Sequence, residues 1–418
     1  MQAKGIEARI RPAPESLTIG VLLTMIVALG PVSTDLYLPS LPSIEAALAT
    51  DEPSVQLTLS GFLAAFALCQ LVHGPLSDRF GRRPVLLGGL GLYLAASVGC
   101  MLAPTIEWLV AGRFLQAIGA CVGPVVGRAV VRDVYGRERA AKVLAYMGAA
   151  MALAPAVGPV LGGLMQQWFG WQANFALMAV FGLAAVAGTW VLLGETNRHR
   201  NPEATRPGRL LANYRALLRD RSYLGYVAML TAAYAGLFAF ISGSSFVFIG
   251  YHGLSETAFG FCFAAAVLGY MAGTLASGRL SGRFRLEALA TTGAAMTAGA
   301  GVVGAGLGLF GIDSIAAILI PMAAYMAGIG FVMPNAMAGA IGPFPAMAGA
   351  AAALAGFCTF GFAAIWGNVA AQLTTRLQDG GSPLVMTSAI GIAGLGVLAA
   401  ERLIVPRSRR PAAPAPAP

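Results

Sequence analysis

Residues 314–375 run for 62 positions without one Asp, Glu, Lys or Arg. An apolar stretch of roughly 20 residues already crosses a bilayer as a helix, and backbone in lipid must satisfy its own hydrogen bonds. Four more charge-free stretches follow the same rule: 143–194, 222–255, 288–312 and 84–106, of 52, 34, 25 and 23 residues. Hydrophobic residues make up 57% of the 418 and charged ones 11%, about half the share of a soluble protein. Such a chain lacks the polar surface of a water-soluble enzyme. It reads as an all-α, polytopic membrane protein.

Cutting at charge clusters and Pro/Gly turns gives twelve expected spans: 17–43, 55–75, 84–103, 107–128, 142–165, 171–194, 222–248, 256–278, 287–309, 314–337, 346–371 and 382–404. Pro31, Pro39 and Pro42 bend the end of the first. The first apolar stretch is too long for a signal-peptide core and reads as a span. Six alternate segments, counting both termini and the 6–7 loop, hold 25 of the 27 Lys and Arg, and the opposite connections hold only Arg376. The positive-inside rule then places both termini and the central loop in the cytoplasm. It also accounts for the net charge of +9 without nucleic acid.

The expected organisation is a short N-terminus (1–16), a six-helix bundle (17–194), a central loop (195–221), a second six-helix bundle (222–405) and a Pro/Ala tail (406–418). The run Ser277-Gly278-Arg279-Leu280-Ser281-Gly282-Arg283 weakly repeats the Gly/Arg turn after span 2. Two six-span halves around a midplane site is a transporter layout. Five isolated Cys, three scattered His and no glycine before either Lys leave no disulfide framework, metal motif or P-loop. No cofactor or metal is expected.

Ionisable groups inside a bilayer are costly and therefore functional candidates. Two fall inside spans, Asp35 in span 1 and Arg113 in span 4, each roughly 10 Å below the same membrane face at ~1.5 Å per residue. At equal depth they are expected to meet across a cavity, with Asp35 exchanging a proton and Gln116 completing a polar site one turn beyond Arg113. A permanent buried ion pair, or Asp35 simply breaking the helix near Pro39, is the structural alternative. In span 5, Pro155 and Pro159 kink the helix, while Gly158, Gly162 and Gly163 offer a face for close approach. The 2–3 turn carries Gly74, Asp78, Arg79, Gly81, Arg82 and Arg83. It reads as a latch, with Asp78 near the start of span 11 and Arg82 or Arg83 meeting Asp133.

These motifs resemble those of the major facilitator superfamily. The 2–3 turn matches G-x-L-x-D-R-x-G-R-R/K-x-x-L through Leu86. Span 5 is similar to the antiporter motif G-P-x-x-G-G, span 4 to R-x-x-Q, and Thr34-Asp35-Leu36-Tyr37-Leu38-Pro39 to the span 1 signature of twelve-span drug:proton antiporters. The likeness is greatest to the bicyclomycin/chloramphenicol-resistance (Bcr/CflA-type) group. The resemblance implies a monomeric bacterial inner-membrane transporter that exports small hydrophobic compounds by alternating access, driven by the proton gradient. A metabolite exporter or a sugar:proton symporter is the alternative on the same fold. Relatives with a second acid in span 1 differ from this chain, which is apolar there (Val27 included). The resemblance places substrate between the halves. Asp35, Tyr37, Arg113, Gln116, Met151, Tyr234, Phe238, Asn335, Phe357 and Trp366 are candidates to line its site, with Phe246, the Ser242–Ser245 cluster, Tyr270, Phe360 and Asn368 nearby.

Overall fold

A computed structural model of the chain describes residues 16–197, 200–377 and 382–403. Most of the expected N-terminus, the whole Pro/Ala tail and the end of the last span lie outside them, as do Arg198 and Asp379. Among the described residues all regular structure is helical. The first half holds α1 (Leu17–Asp35), a short α2 (Leu41–Ala47), α3 (Glu52–Phe80), α4 (Arg82–Met101), α5 (Ile106–Ala120), α6 (Arg128–Phe169) and α7 (Gln172–Leu192). A connecting helix, α8 (Pro207–Leu217), precedes α9 (Arg221–Ser245), α10 (Glu256–Leu280), α11 (Leu286–Leu309), α12 (Ile315–Ile341), α13 (Ala348–Arg376) and α14 (Leu384–Leu403).

Helix starts are written into the sequence as short polar residues whose side chains accept an otherwise unpaired N–H. Asp51 accepts from Ser54, Thr105 from Trp108, Ser255 from Ala258 and Ser314 from Ala317. Eleven helical stretches among the described residues are long and apolar enough to cross a membrane. The fifth expected span falls inside α6. Along that element, Gly127 lies on Val27, Tyr135 donates to the Ser16 carbonyl, and Gly158 and Gly162 lie on Asp35 and Leu36. The chain therefore runs down α1 to its first turn and returns to its last. The central connection, expected as a polar loop, contains α8 and is built into the first bundle through Glu195–Thr205, as described below.

The two halves repeat one packing scheme. The third span of the first half, α4, packs on α5 and α7, and its counterpart α11 packs on α12 and α14. Both crossings depend on glycine. A Cβ on Gly119 would press on Gly89 and Tyr93, and one on Gly328 would press on Gly293 and Thr297. Small residues let backbones approach closely where lipid supplies no hydrophobic drive. The halves join chiefly along two seams, α3 with α13 and α6 with α10.

Candidate functional site

Asp35 is the last residue of α1. The helix ends there because Pro39, with no N–H to give, opens a 3-10 turn (Leu38–Ser40). Pro31 already interrupts the ladder a turn earlier. Asn174 fastens this break, donating from Nδ2 to Ser40 Oγ at 2.8 Å and to the Gly162 carbonyl at 3.3 Å. The Asp35 carboxyl is 3% exposed, and the one hydrogen bond to it among the described residues comes from Thr34 Oγ1 at 3.0 Å. Gly158 of α6 backs it, with room for a Cβ only at 3.1 Å from Asp35 Cβ, and Tyr234 of α9 lies near it in the second bundle.

Arg113 is fully buried in the first bundle. Its Nη1 donates to Gln116 Oε1, and Gln116 Nε2 donates onward to Ser97 Oγ at 2.7 Å. The guanidinium carbon stands 4.3 Å from the Tyr37 ring centroid, 4.4 Å from that of Phe62 and 5.9 Å from that of Phe175. Rings at these distances hold a desolvated cation through their quadrupoles. Nε and Nη2 have no hydrogen-bond partner.

The expected meeting of Asp35 and Arg113 does not occur: among the described residues they form no ion pair. The reason is rotation, not depth. Ser33 and Tyr37 are four residues apart and face the bundle interior, where they bond Tyr93 Oη and Thr58 Oγ1, both at 2.8 Å. Asp35, between them, points about 200° away at 100° per residue. It faces α6 and the second bundle.

Aromatic rings bridge the two groups. Phe62 stacks on Phe66 (6.0 Å between centroids), Phe66 meets Phe360 edge-on (5.3 Å), and Phe360 meets Tyr234 edge-on (4.9 Å). The path starts at Arg113, crosses the α3–α13 seam and returns to Asp35. Gly356 lets the seam close, since a Cβ there would lie 2.8 Å from the Gln70 amide. Of the other candidates, Met151 and Phe357 are half-buried against the core. Trp366 stacks on Phe362, its Nε1 buried and unpaired. Two further candidates are enclosed. Phe238 is fully buried against Gly367 in the second bundle. Asn335 spends its amide on Ser277 Oγ and the Phe331 carbonyl, both at 2.8 Å. Phe62, Phe66, Ser97 and Tyr93 were not expected; their signal is only a helical spacing shared with ordinary packing.

Arg82 bridges the 2–3 turn, pairing with Asp78 at 2.6 Å and with Asp133 at 3.1 Å. Asp78 was expected at the start of span 11. The register of Gln70 on Gly356 and Phe66 on Phe360 brings it level with Ala348, but its carboxyl goes to Arg82. Glu195 was not expected at all. Its two oxygens accept the backbone N–H of Arg82 (2.9 Å) and of Arg83 (3.3 Å), capping α4. Gly81 (φ 107°) makes this possible, because any Cβ there would overlap the Glu195 carboxylate. Arg83 donates to the Trp190 carbonyl, Arg79 to Thr205, and Asn197 to the Ser77 and Asp78 carbonyls. A Cβ on Gly74 would lie 3.8 Å from Val125, an ordinary contact.

Span 5 holds both bundles at once. A Cβ on Gly162 would overlap the Leu36 carbonyl oxygen, and one on Gly163 would lie 2.5 Å from the Glu256 carbonyl at the start of α10. Gly260 of α10 returns the contact: a Cβ there would lie 2.7 Å from the carbonyl of Pro159. Pro155 and Pro159 stand in the same stretch of α6. Thr257 Oγ1 donates to Gln167 Oε1 at 3.0 Å across the seam. Among the described residues no His/Cys/Asp/Glu group is arranged to hold a metal ion.

A bundle of apolar helices in two matching halves, with a carboxyl and a guanidinium buried beside the seams, defines a membrane transporter. Residues 23–368 match the model of the Major Facilitator Superfamily, and the chain belongs to that family. It is 33% identical to a chloramphenicol resistance protein of Pseudomonas aeruginosa over 82% of this chain and 80% of that one. It is 29% identical to a bicyclomycin resistance protein homolog of Haemophilus influenzae over 89% and 91%. Among solved structures, a partially occluded inward-open conformation of the xylose transporter XylE from E. coli superposes with a TM-score of 0.69 at 14% identity, covering 93% of this chain and 97% of that one. That last likeness concerns the fold.

Proposed function

We propose that this protein is a proton-coupled antiporter of the Bcr/CflA type that exports small hydrophobic compounds across a bacterial inner membrane. In this reading it has twelve spans, both termini cytoplasmic, acts as a monomer and needs no cofactor beyond the proton gradient. The observation that carries the reading is Asp35. Its carboxyl is buried with no cation paired to it among the described residues, set between the small-residue helix α6 and Tyr234 of the opposite bundle. A group so placed is discharged when it takes a proton and recharged when it gives one up. Each change alters what the facing bundle can bind, so proton and substrate exclude one another. Rocking about the α3–α13 and α6–α10 seams exposes the site to one side and then the other. The drug-resistance relatives support a drug-like substrate, and the aromatic path from Phe62 to Tyr234 supports an apolar one with flat faces.

The test uses inside-out vesicles with an imposed pH gradient and a fluorescent pH probe. Chloramphenicol-like, cationic and sugar compounds are added to wild type and to Asp35→Asn. The expected result is gradient collapse by a hydrophobic drug in wild type, absent in the variant. Collapse that persists in Asp35→Asn removes Asp35 from the coupling. A response to sugars alone replaces drug export with solute transport.

A further inference from the structure

The helix α8 (Pro207–Leu217) plays no part in the site just described, and its surface is graded. Leu217 is fully buried, Leu210 and Tyr214 are half-buried, and α8 packs on α13. Leu211 and Leu218, next round the helix, are 68% and 49% exposed. Arg215 and Arg219 follow on the same side, also exposed, and Arg221 opens α9 beyond them. Among the described residues none of these three arginines forms an ion pair, and the nearby acids are engaged: Glu203 pairs with Arg206, and Asp220 caps α9.

The position of α8 says what covers this face. Only three residues separate it from α9, a membrane-crossing helix, and it rests on another, α13. It therefore lies where the bundle leaves the bilayer. Two bare leucines bordered by unpaired arginines suit neither water nor the acyl core. They suit the boundary between them, where leucines enter lipid and arginines reach headgroup phosphates. The charge of the face selects anionic headgroups.

We infer that α8 is an interfacial anchor: Leu211 and Leu218 insert at the acyl–headgroup boundary, while Arg215 and Arg219 bind anionic phospholipids of the bilayer that holds the protein. The full-length protein is placed in nanodiscs of phosphatidylcholine alone, or with about one third phosphatidylglycerol, and amide exchange over 207–219 is followed by mass spectrometry. Two surface arginines correspond to about a 30-fold slower exchange in the anionic discs. Arg215→Gln/Arg219→Gln is expected to abolish the difference and Arg215→Lys/Arg219→Lys to keep it, with exchange in α11 unchanged throughout as a check on folding. Equal exchange in the two lipids overturns the inference. So does a difference that survives the Gln variant, or one that appears only when a soluble acidic protein is added. Transport activity enters none of these readouts.

Discussion

The two bundles share one packing plan but differ in chemistry. In the first, the interior holds a guanidinium, an amide, two bonded tyrosines and two serines. In the second, the matching interior holds no buried charge among the described residues: Phe240 stacks on Phe263 at 5.3 Å, Asn335 bonds Ser277, and Tyr325 spends its hydroxyl on the Ala233 carbonyl at 3.3 Å. The turns differ in the same way. Aligning Leu76-Ser77-Asp78-Arg79-Phe80 with Leu280-Ser281-Gly282-Arg283-Phe284 sets Gly282 where the first half has Asp78. The second turn then has no Arg82–Asp78 bridge, and its Gly278 and Gly282 have open space around them. A repeated scaffold has kept its shape in both copies, while charge is concentrated in one. The lesson is that close packing needs small residues in both halves, whereas an ionisable group in lipid is costly enough to be kept only where it does something.

Four comparisons press on this contrast. The largest effect is expected where α6 packs on the turn that follows α1. Gly162→Val drives a side chain into the Leu36 carbonyl and is expected to cost about 3 kcal/mol, whereas Gly361→Val on α13 meets only Ala67 at 3.8 Å and is expected to be tolerated. Thermal midpoints in one detergent decide it; equal losses would mean the α6 contact is not special. Next is the turn. Gly81→Ala combines a left-handed backbone with the Glu195 overlap and is expected to lose about 2 kcal/mol, against a negligible change for Gly282→Ala.

Smaller in stability, and opposite in sign, is Arg113→Met. An apolar side chain of similar length in a ring-lined pocket is expected to raise stability by about 1 kcal/mol while export falls to background. Tyr325→Phe in the second bundle is expected to leave export intact. A thermal loss in Arg113→Met with export retained would make the cation a structural group. The smallest effect lies in the paired caps. Ser54, through its hydroxyl and then its N–H, holds the Asp51 carboxyl below the usual carboxylate range. The depressed value means the cap's contribution is complete above about pH 4 and fades as pH falls through the folded value. Ser255, the matching cap on α10, has no such dependence. Asp51→Ser is expected to flatten the acid limb of the stability curve by a few tenths of a kcal/mol; an unchanged limb would assign it to other carboxylates.

Much of this molecule was legible before its coordinates. Charge-free runs marked the helices, and charge clusters with Pro/Gly turns marked the breaks between them. The pairing of Arg82 with Asp133 followed from an acid and a base at the same membrane face. That Asp35 and Arg113 lie inside the protein was also readable, but not their directions. A helix that ends at Asp35 and resumes at Leu41 loses its rotational phase, so spacing alone does not tell which neighbour a side chain faces. The surroundings of Phe238 and Asn335 were unreadable for a related reason. An aromatic or amide on a membrane helix looks the same in sequence whether it faces a cavity or a glycine such as Gly367. Glu195 was missed because its partner N–H groups belong to the backbone, which carries no sequence signature.

The contacts of α6 have a mechanical side. Gly158 backs Asp35, Gly162 touches the Leu36 carbonyl, and Gly163 touches the first turn of α10, all within two helical turns and without a compressible side chain between. Backbone pressed on backbone behaves as a stiff rod. A shift of the second bundle at α10 is therefore passed along α6 to the turn at Asp35 with little give.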